Sequence, residues 1–334
     1  MTLKNRAPSP PQAIVAHADR SVRVLMQQVI LGMLPGIGLT WVFFGIGVLV
    51  QITLAATGVL LVEFIVSRLR GDSATSGLSD GSWLVLAFIV GVSVPPYCPW
   101  TITVGAALVG SLIGKHLYGG TGQNLFNPAM VGIVFVLVCF PNISTYWPSY
   151  ADASSMSIVE GLALIFTGQG IVIDAISGAT LLEFERTQLS LAAMRSEFTG
   201  ADIYGVFAGR AWEWVNVGYL FGGIYLCVRR VIRVTIPICF LSSLFIFAGI
   251  AYGYDSEQFA GPLIHWFAGA TMLCAFFIAT DPVSSPTGQR ATAVYGVLLA
   301  ALVFLFRVNG AYPDGVAFAV VLLNVLVPIL DRLL

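Results

Sequence analysis

Between Val24 and Val62 the chain carries no charged residue. A helix needs only about 20 apolar residues to cross a bilayer. The run is therefore too long for one span, and it predicts two, turning near Phe43 to Gly45. Further apolar runs cover about 83–97, 99–114, 129–141, 212–228, 234–252, 261–280, 291–306 and 315–330. The expectation is an all-α polytopic membrane protein with about ten transmembrane helices. Composition agrees: 57% of residues are hydrophobic and 10% charged, where soluble domains have about 25% charged. The third and fifth runs are short, and the third ends at Val94-Pro95-Pro96. Such segments predict discontinuous helices lining a site. The polar start, Met1 to Ala18, holds Pro8, Pro10 and Pro11 and does not read as a signal peptide.

Lys and Arg set orientation. With the N-terminus in the cytoplasm, the inner side holds Lys4, Arg6, Arg20, Arg23, Arg68, Arg70, Lys115, Arg229, Arg230, Arg233, Arg290 and Arg332. The outer side holds Arg186, Arg195, Arg210 and Arg307. Both termini are then cytoplasmic, and the long segment after Pro141 faces outward. Cys98, Cys139, Cys227, Cys239 and Cys274 are scattered in or beside apolar runs, with no CxxC or CxxH spacing. They read as small buried hydrophobes rather than cluster or zinc ligands. Three histidines, His17, His116 and His265, argue against several haems.

The two halves resemble each other. LYGGTGQNLFNPAM from Leu117 opens the fifth run, and VNGAYPDGVAFA from Val308 opens the tenth. Ser93-Val-Pro95-Pro96 ends the third, and Thr280-Asp281-Pro282 ends the eighth. Five spans per half is an odd number, so the repeats must be inverted. This divides the chain into a cytoplasmic segment 1–22, a first five-helix repeat 23–141, a periplasmic loop 142–211 and a second five-helix repeat 212–334.

Within that acidic outer loop lies Asp174-Ala-Ile-Ser177-Gly178-Ala179-Thr180. This D-x-x-S-G-A-T pattern resembles the acceptor at which a flavin transferase esterifies FMN onto Thr. Taken with LPG from Leu34, VPPY from Val94, the Leu117 stretch, ATDPVS from Ala279 and GAYPDGVAFA from Gly310, nearly the whole chain resembles one family. That family joins the RnfD component of the Rnf electron transport complex to the NqrB component of the sodium-translocating NADH:quinone reductase. The short polar segment before Val24 favours the Rnf type.

The resemblance implies a bacterial inner-membrane electron carrier with covalent FMN at Thr180 and a second, non-covalent riboflavin. It implies electron passage between a periplasmic-side FMN and an inner riboflavin, coupled to Na+ or H+ movement between ferredoxin and NAD. Implied partners are RnfA, RnfB, RnfC, RnfE and RnfG, above all the outer FMN carrier RnfG and the cytoplasmic RnfC, and a flavin transferase for maturation. A lipid bilayer is expected as surroundings, and no nucleic acid as partner. Catalysis by the isolated chain is not expected.

The residues fit such chemistry. A phosphate linked at Thr180 keeps a negative charge, which is costly in hydrocarbon but solvated at an outer loop. Asp174, Ser177, Gly178 and Ala179 form the motif around it, the small residues leaving the hydroxyl accessible. Riboflavin lacks a phosphate, and its polar edge needs partners. Asn124 and Asn127 offer donors and acceptors at the inner side. Asn127 equally suits a helix cap before Pro128. Asp281 suits either a cap for the ninth span or the inner pocket. Glu63, Asp80 and Asp331 are ion-path candidates near the inner edge, where snorkelling to water is an equal alternative. Trp212 and Trp214 read as an interfacial belt. Rival readings are a quinone-reductase component of the NqrB type, a flavin-free inverted-repeat channel or transporter, and a structural anchor for partner subunits.

Overall fold

The computed structural model describes residues 21–71, 78–120, 122–142, 147–149, 156–168, 178–310, 312 and 314–334. Helix dominates, and no β-sheet occurs among the described residues; Tyr204 and Gly209 form an isolated bridge. Helix α1 (Val22–Phe44) stops at Gly45, whose φ of 82° breaks the helical path, and α2 (Gly47–Arg70) follows. The turn expected near Phe43 to Gly45 is thus present. Next come α3 (Ser82–Ser93) and α4 (Trp100–Val109), the latter continued by a π turn over Gly110–Lys115 and a 3-10 turn over His116–Tyr118. Helix α5 (Pro128–Cys139) closes the first half. Between the halves lie α6 (Ile158–Thr167), α7 (Leu181–Ser190) and α8 (Arg195–Phe198). The second half holds α9 (Trp212–Val228), α10 (Thr235–Tyr254), α11 (Pro262–Phe267), α12 (Thr271–Leu273) with its π extension Cys274–Ile278, α13 (Gln289–Asn309) and α14 (Val316–Leu333).

Helices therefore occupy all ten apolar runs. Five of them, α1, α2, α10, α13 and α14, are long and apolar enough to cross a bilayer by themselves. Helices α3 and α5 have 12 residues each, about 18 Å at 1.5 Å per residue, well short of the hydrocarbon core. Large apolar side chains such as Val42, Leu61, Phe221, Ile238 and Ile250 stand exposed around the bundle. Facing lipid, they match their solvent; facing water they would form a large sticky surface.

Contacts sort the helix ends into two sets. At one end, Arg70 reaches the carbonyls of His116 and Gly119, Arg233 reaches that of Thr287, and Asp331 accepts from the Thr287 N–H. At the other, Phe44 packs on Trp212, Tyr312 donates to the Leu137 carbonyl, and Arg307 donates to that of His265. Helices α1 and α9 meet in antiparallel register through Gly32 and Gly36 on one and Gly222 and Gly218 on the other. A Cβ on Gly222 would overlap the Gly32 carbonyl, and one on Gly218 would lie 2.9 Å from Gly36 Cα. Small residues four apart let two backbones approach this closely in a membrane. The same pairing recurs elsewhere: α2 packs on α3 and α4 as α10 packs on α11 and α13, while α5 meets α14. Gly222→Leu is expected to force α1 and α9 apart, costing at least about 1–3 kcal/mol of overpacking strain. Thermal unfolding of purified protein in detergent would show it as a lowered midpoint.

The clearest helix break lies in the eighth run, not the third or fifth. Ala268, Gly269 and Ala270 separate α11 from α12. Backbone freed inside a membrane bundle needs partners, and it has them. Asn216 donates to the carbonyls of Phe267 and Gly269, both at 3.0 Å, and accepts from the Met272 N–H. Arg307 and Thr271 take the carbonyls of His265 and Ala268, and Asp314 accepts from the Ala270 N–H at 2.6 Å. Gln51 does the same in the first half, donating to the carbonyls of Pro96 and Cys98 while accepting from Thr103.

Candidate functional site

Thr180 is the N-cap of α7, in extended conformation, and its hydroxyl accepts from the Glu183 N–H at 3.4 Å. Side-chain oxygens are favoured at that position because the first helical N–H groups lack partners. Gly178 donates its N–H to the Trp147 carbonyl at 2.8 Å, and a Cβ there would lie 2.9 Å from that of Ser149. Glycine is thus required by the close approach of the 147–149 segment. Asp174 and Ser177 lie outside the described residues. Helix α7 is fixed at its far side: Glu185 is buried and pairs with Arg195 at 2.8 Å, and Tyr204 donates to the same carboxylate. Burial holds the Glu183 carboxyl above its usual range, opposed by the Thr180 bond and Arg186.

Thr180 stands on the wall of a cavity that opens to the surface. Both halves of the chain line it. Val92 to Pro95 at the end of α3, Met130 to Leu137 on α5, and Thr40 come from the first. Trp212, Val215 and Tyr219 on α9, the Ala268–Ala270 break, Ile278, Asp314 and Val316 come from the second. Most of the lining is apolar, with a few polar groups spaced along it, the usual make-up of a cofactor pocket. Trp147 and Trp212 stack edge-to-face with centroids 4.7 Å apart, and Phe44 backs both. Trp212 therefore points inward, while Trp214 is exposed. The cause is Glu213: its buried carboxylate accepts the N–H groups of Val206, Phe207 and Ala208, which fixes the start of α9 in rotation. Tyr219 lines the cavity as well, its buried hydroxyl beside that of Thr40. An aromatic slot with hydroxyl groups from Thr40 and Tyr219 on its wall suits a planar heteroaromatic group with a polar edge.

At the opposite end a second polar group spans the two halves. Asn127 caps α5, accepting from the Met130 N–H at 3.2 Å, and donates to the Ile278 carbonyl at 3.4 Å. Its own N–H goes to Asn324 Oδ1, and Asn324 Nδ2 reaches the Ser284 carbonyl. Asp281 accepts from both the N–H and the hydroxyl of Ser284. The ninth run's helix instead begins after Gly288, so Asp281 closes the preceding turn rather than capping that helix. Asn124 turns back on its own loop, donating to the Phe126 carbonyl. Met130 and Ile278 belong to both regions: they line the Thr180 cavity, and their backbone groups bond to Asn127.

The three carboxylate candidates differ. Glu63 does not snorkel. It is 1% exposed, with Lys115 Nζ at 2.6 Å and His116 Nε2 at 3.1 Å. The π turn ending at Lys115 carries that residue and His116 onto Glu63. Lys115 also donates to Ser82, and Asp80 accepts from the Ser82 N–H and hydroxyl. Asp331 accepts from the N–H groups of Thr287 and Gly288. Trp147, Tyr219, Asn324 and the Arg307–Asp314 pair are not legible as site residues in the sequence; their neighbours along the chain are apolar or turn-like, and only the fold brings them together.

A family described as NQR2, RnfD, RnfE matches residues 11–334. Proteins described as the D subunit of an ion-translocating oxidoreductase complex are similar over nearly all of the chain. That of Yersinia pseudotuberculosis serotype I is 43% identical, covering 95% of this chain and 93% of its own length. That of Shewanella sediminis is 40% identical, covering 95% and 94%. That of Aeromonas hydrophila is 43% identical over the same shares, 95% and 94%.

Proposed function

The chain belongs to the NQR2, RnfD, RnfE family and is a multi-pass membrane subunit of an ion-translocating oxidoreductase complex; from that premise we propose that it is the complex's flavin-bearing electron carrier. FMN is joined through its phosphate to Thr180. The carrying observation is that Thr180 caps a helix on the wall of an aromatic cavity lined by both halves. When bound, the flavin supplies one-electron chemistry that no side chain provides. The chain does the rest. The N-terminus of α7 directs N–H groups toward the phosphate. Trp147, Trp212 and Tyr219 hold and orient the ring, and the apolar walls exclude water.

A riboflavin at the inner end, near Asn127, Asn324 and Asp281, completes the relay. Met130 and Ile278, which line the cavity and whose backbones bond to Asn127, would lie between the two groups. The ten helical runs cross the membrane in two inverted repeats, a reading supported by the antiparallel α1–α9 register and the matching pairings in each half. Thr180 then faces the periplasm and Asn127 the cytoplasm. Electrons arrive from the outer FMN carrier RnfG and leave toward the cytoplasmic RnfC, between ferredoxin and NAD, coupled to Na+ or H+. RnfA, RnfB and RnfE complete the assembly, and a separate transferase attaches the FMN. Glu63, Asp80 and Asp331 remain the ion-path candidates at the inner face.

A denaturing gel of the purified complex, viewed under ultraviolet light, tests this reading. A fluorescent band is expected at the mass of this chain. A dark band would return the chain to the flavin-free transporter reading.

A further inference from the structure

Among the described residues that line the Thr180 cavity, Asp314 is the one carboxylate. It stands between the cavity and a buried cation. Arg307 approaches Asp314 Oδ1 with Nε at 3.3 Å and Nη2 at 3.1 Å; the Asp314 side chain is 23% exposed and that of Arg307 is 1% exposed. The guanidinium also donates from Nη1 to the His265 carbonyl and from Nη2 to the Ala268 carbonyl and the Thr271 hydroxyl. Asp314 Oδ2 accepts from the Ala270 N–H. The pair is thus clamped to the helix break that forms one wall of the cavity, and neither charge can swing away. A group in the cavity meets the carboxylate first and the arginine behind it.

Resting on the reading of Thr180 as a flavin attachment point, we propose that the Arg307–Asp314 pair sets the reduction potential of that flavin. Each electron the ring receives brings one negative charge into a low-dielectric slot, where fixed charges act strongly. Asp314 opposes that charge and masks Arg307, which keeps the potential low. Neutralising Asp314 leaves Arg307 buried, fixed by its other bonds, and now facing the ring unmasked. The reduced form gains.

The test is redox titration of the covalently held flavin in the purified complex. Asp314→Asn preserves shape and an acceptor for the Ala270 N–H, and Asp314→Ser carries the same prediction where asparagine is not tolerated. The expected result is a rise equivalent to about a tenfold change in the one-electron equilibrium, about 59 mV, with flavin attachment unchanged. Asp314→Glu, which retains the charge, is expected to stay near wild type, and Asp331→Asn at the opposite face is expected to leave the potential unmoved. Attached flavin with an unmoved potential in the neutral variant overturns the proposal alone. A shift in Asp314→Glu equal to that of the neutral variant also overturns it, because packing rather than charge would then be the cause. Wild-type complex with no flavin on this chain overturns the attachment reading and the proposal with it.

Discussion

Alanine at position 180 is expected to give a folded, membrane-inserted protein that carries no covalent flavin and passes no electrons. The two consequences separate because they rest on different physics. Structurally, Thr180 contributes one long cap bond to the Glu183 N–H. Losing an N-cap costs about 1 kcal/mol, and α7 keeps its packing through buried Leu181, Leu182 and the Glu185–Arg195 pair. Chemically, in the proposed attachment the hydroxyl oxygen bonds to phosphorus, and neither the two residues before it, Gly178 and Ala179, nor the two after it, Leu181 and Leu182, offer another. Attachment is therefore all or none. Electron flux in membranes carrying Thr180→Ala, normalised to the abundance of this chain, should fall to the background of a strain lacking the complex. Flux near the wild-type level would favour a structural anchor.

The second large effect concerns stability. Glu63→Met is expected to destabilise the bundle by about 3–5 kcal/mol, the usual cost of stranding one partner of a buried ion pair. Lys115 would be left 4% exposed with Ser82 as its remaining side-chain partner. Combining Glu63→Met with Lys115→Met should recover much of the loss, since an apolar pair needs no charge compensation. The coupling between the two is read from thermal midpoints of wild type, both single variants and the double. Additive midpoints would mean that the contact contributes little. A double variant that is stable but fails to translocate ions would separate a transport role of this group from its structural one.

The sequence and the fold meet most closely where a signal is local. The turn at Gly45 follows from a charge-free run too long for one span. The cap at Asn127 follows from the Asn-Pro step, because proline has no N–H to lose at the first helical position. Thr180 at the start of α7 is readable in the same way: a hydroxyl is followed three residues later by Glu183. The failures are all non-local. Ala268-Gly269-Ala270 looks like uninterrupted span, and its break is tolerable only because Asn216, Arg307 and Asp314 reach it from elsewhere in the chain. Hydropathy puts Glu63 at a wet edge, yet its partner lies 52 residues away. Trp212 and Trp214 flank one glutamate symmetrically in sequence, and only the Glu213 contacts to 206–208 decide which of them faces the cavity. Sites lined by both halves of the chain are built by pairing distant helices, so their residue lists cannot be read along the chain.

One covalent bond carries the proposed role, and peptide mapping of the purified wild-type complex addresses it directly. Proteolytic fragments spanning Thr180 should carry the mass of an FMN adduct, and fragmentation should place it on that side chain. Recovery of the same peptide unmodified, from complex that is active in electron transfer, would contradict it.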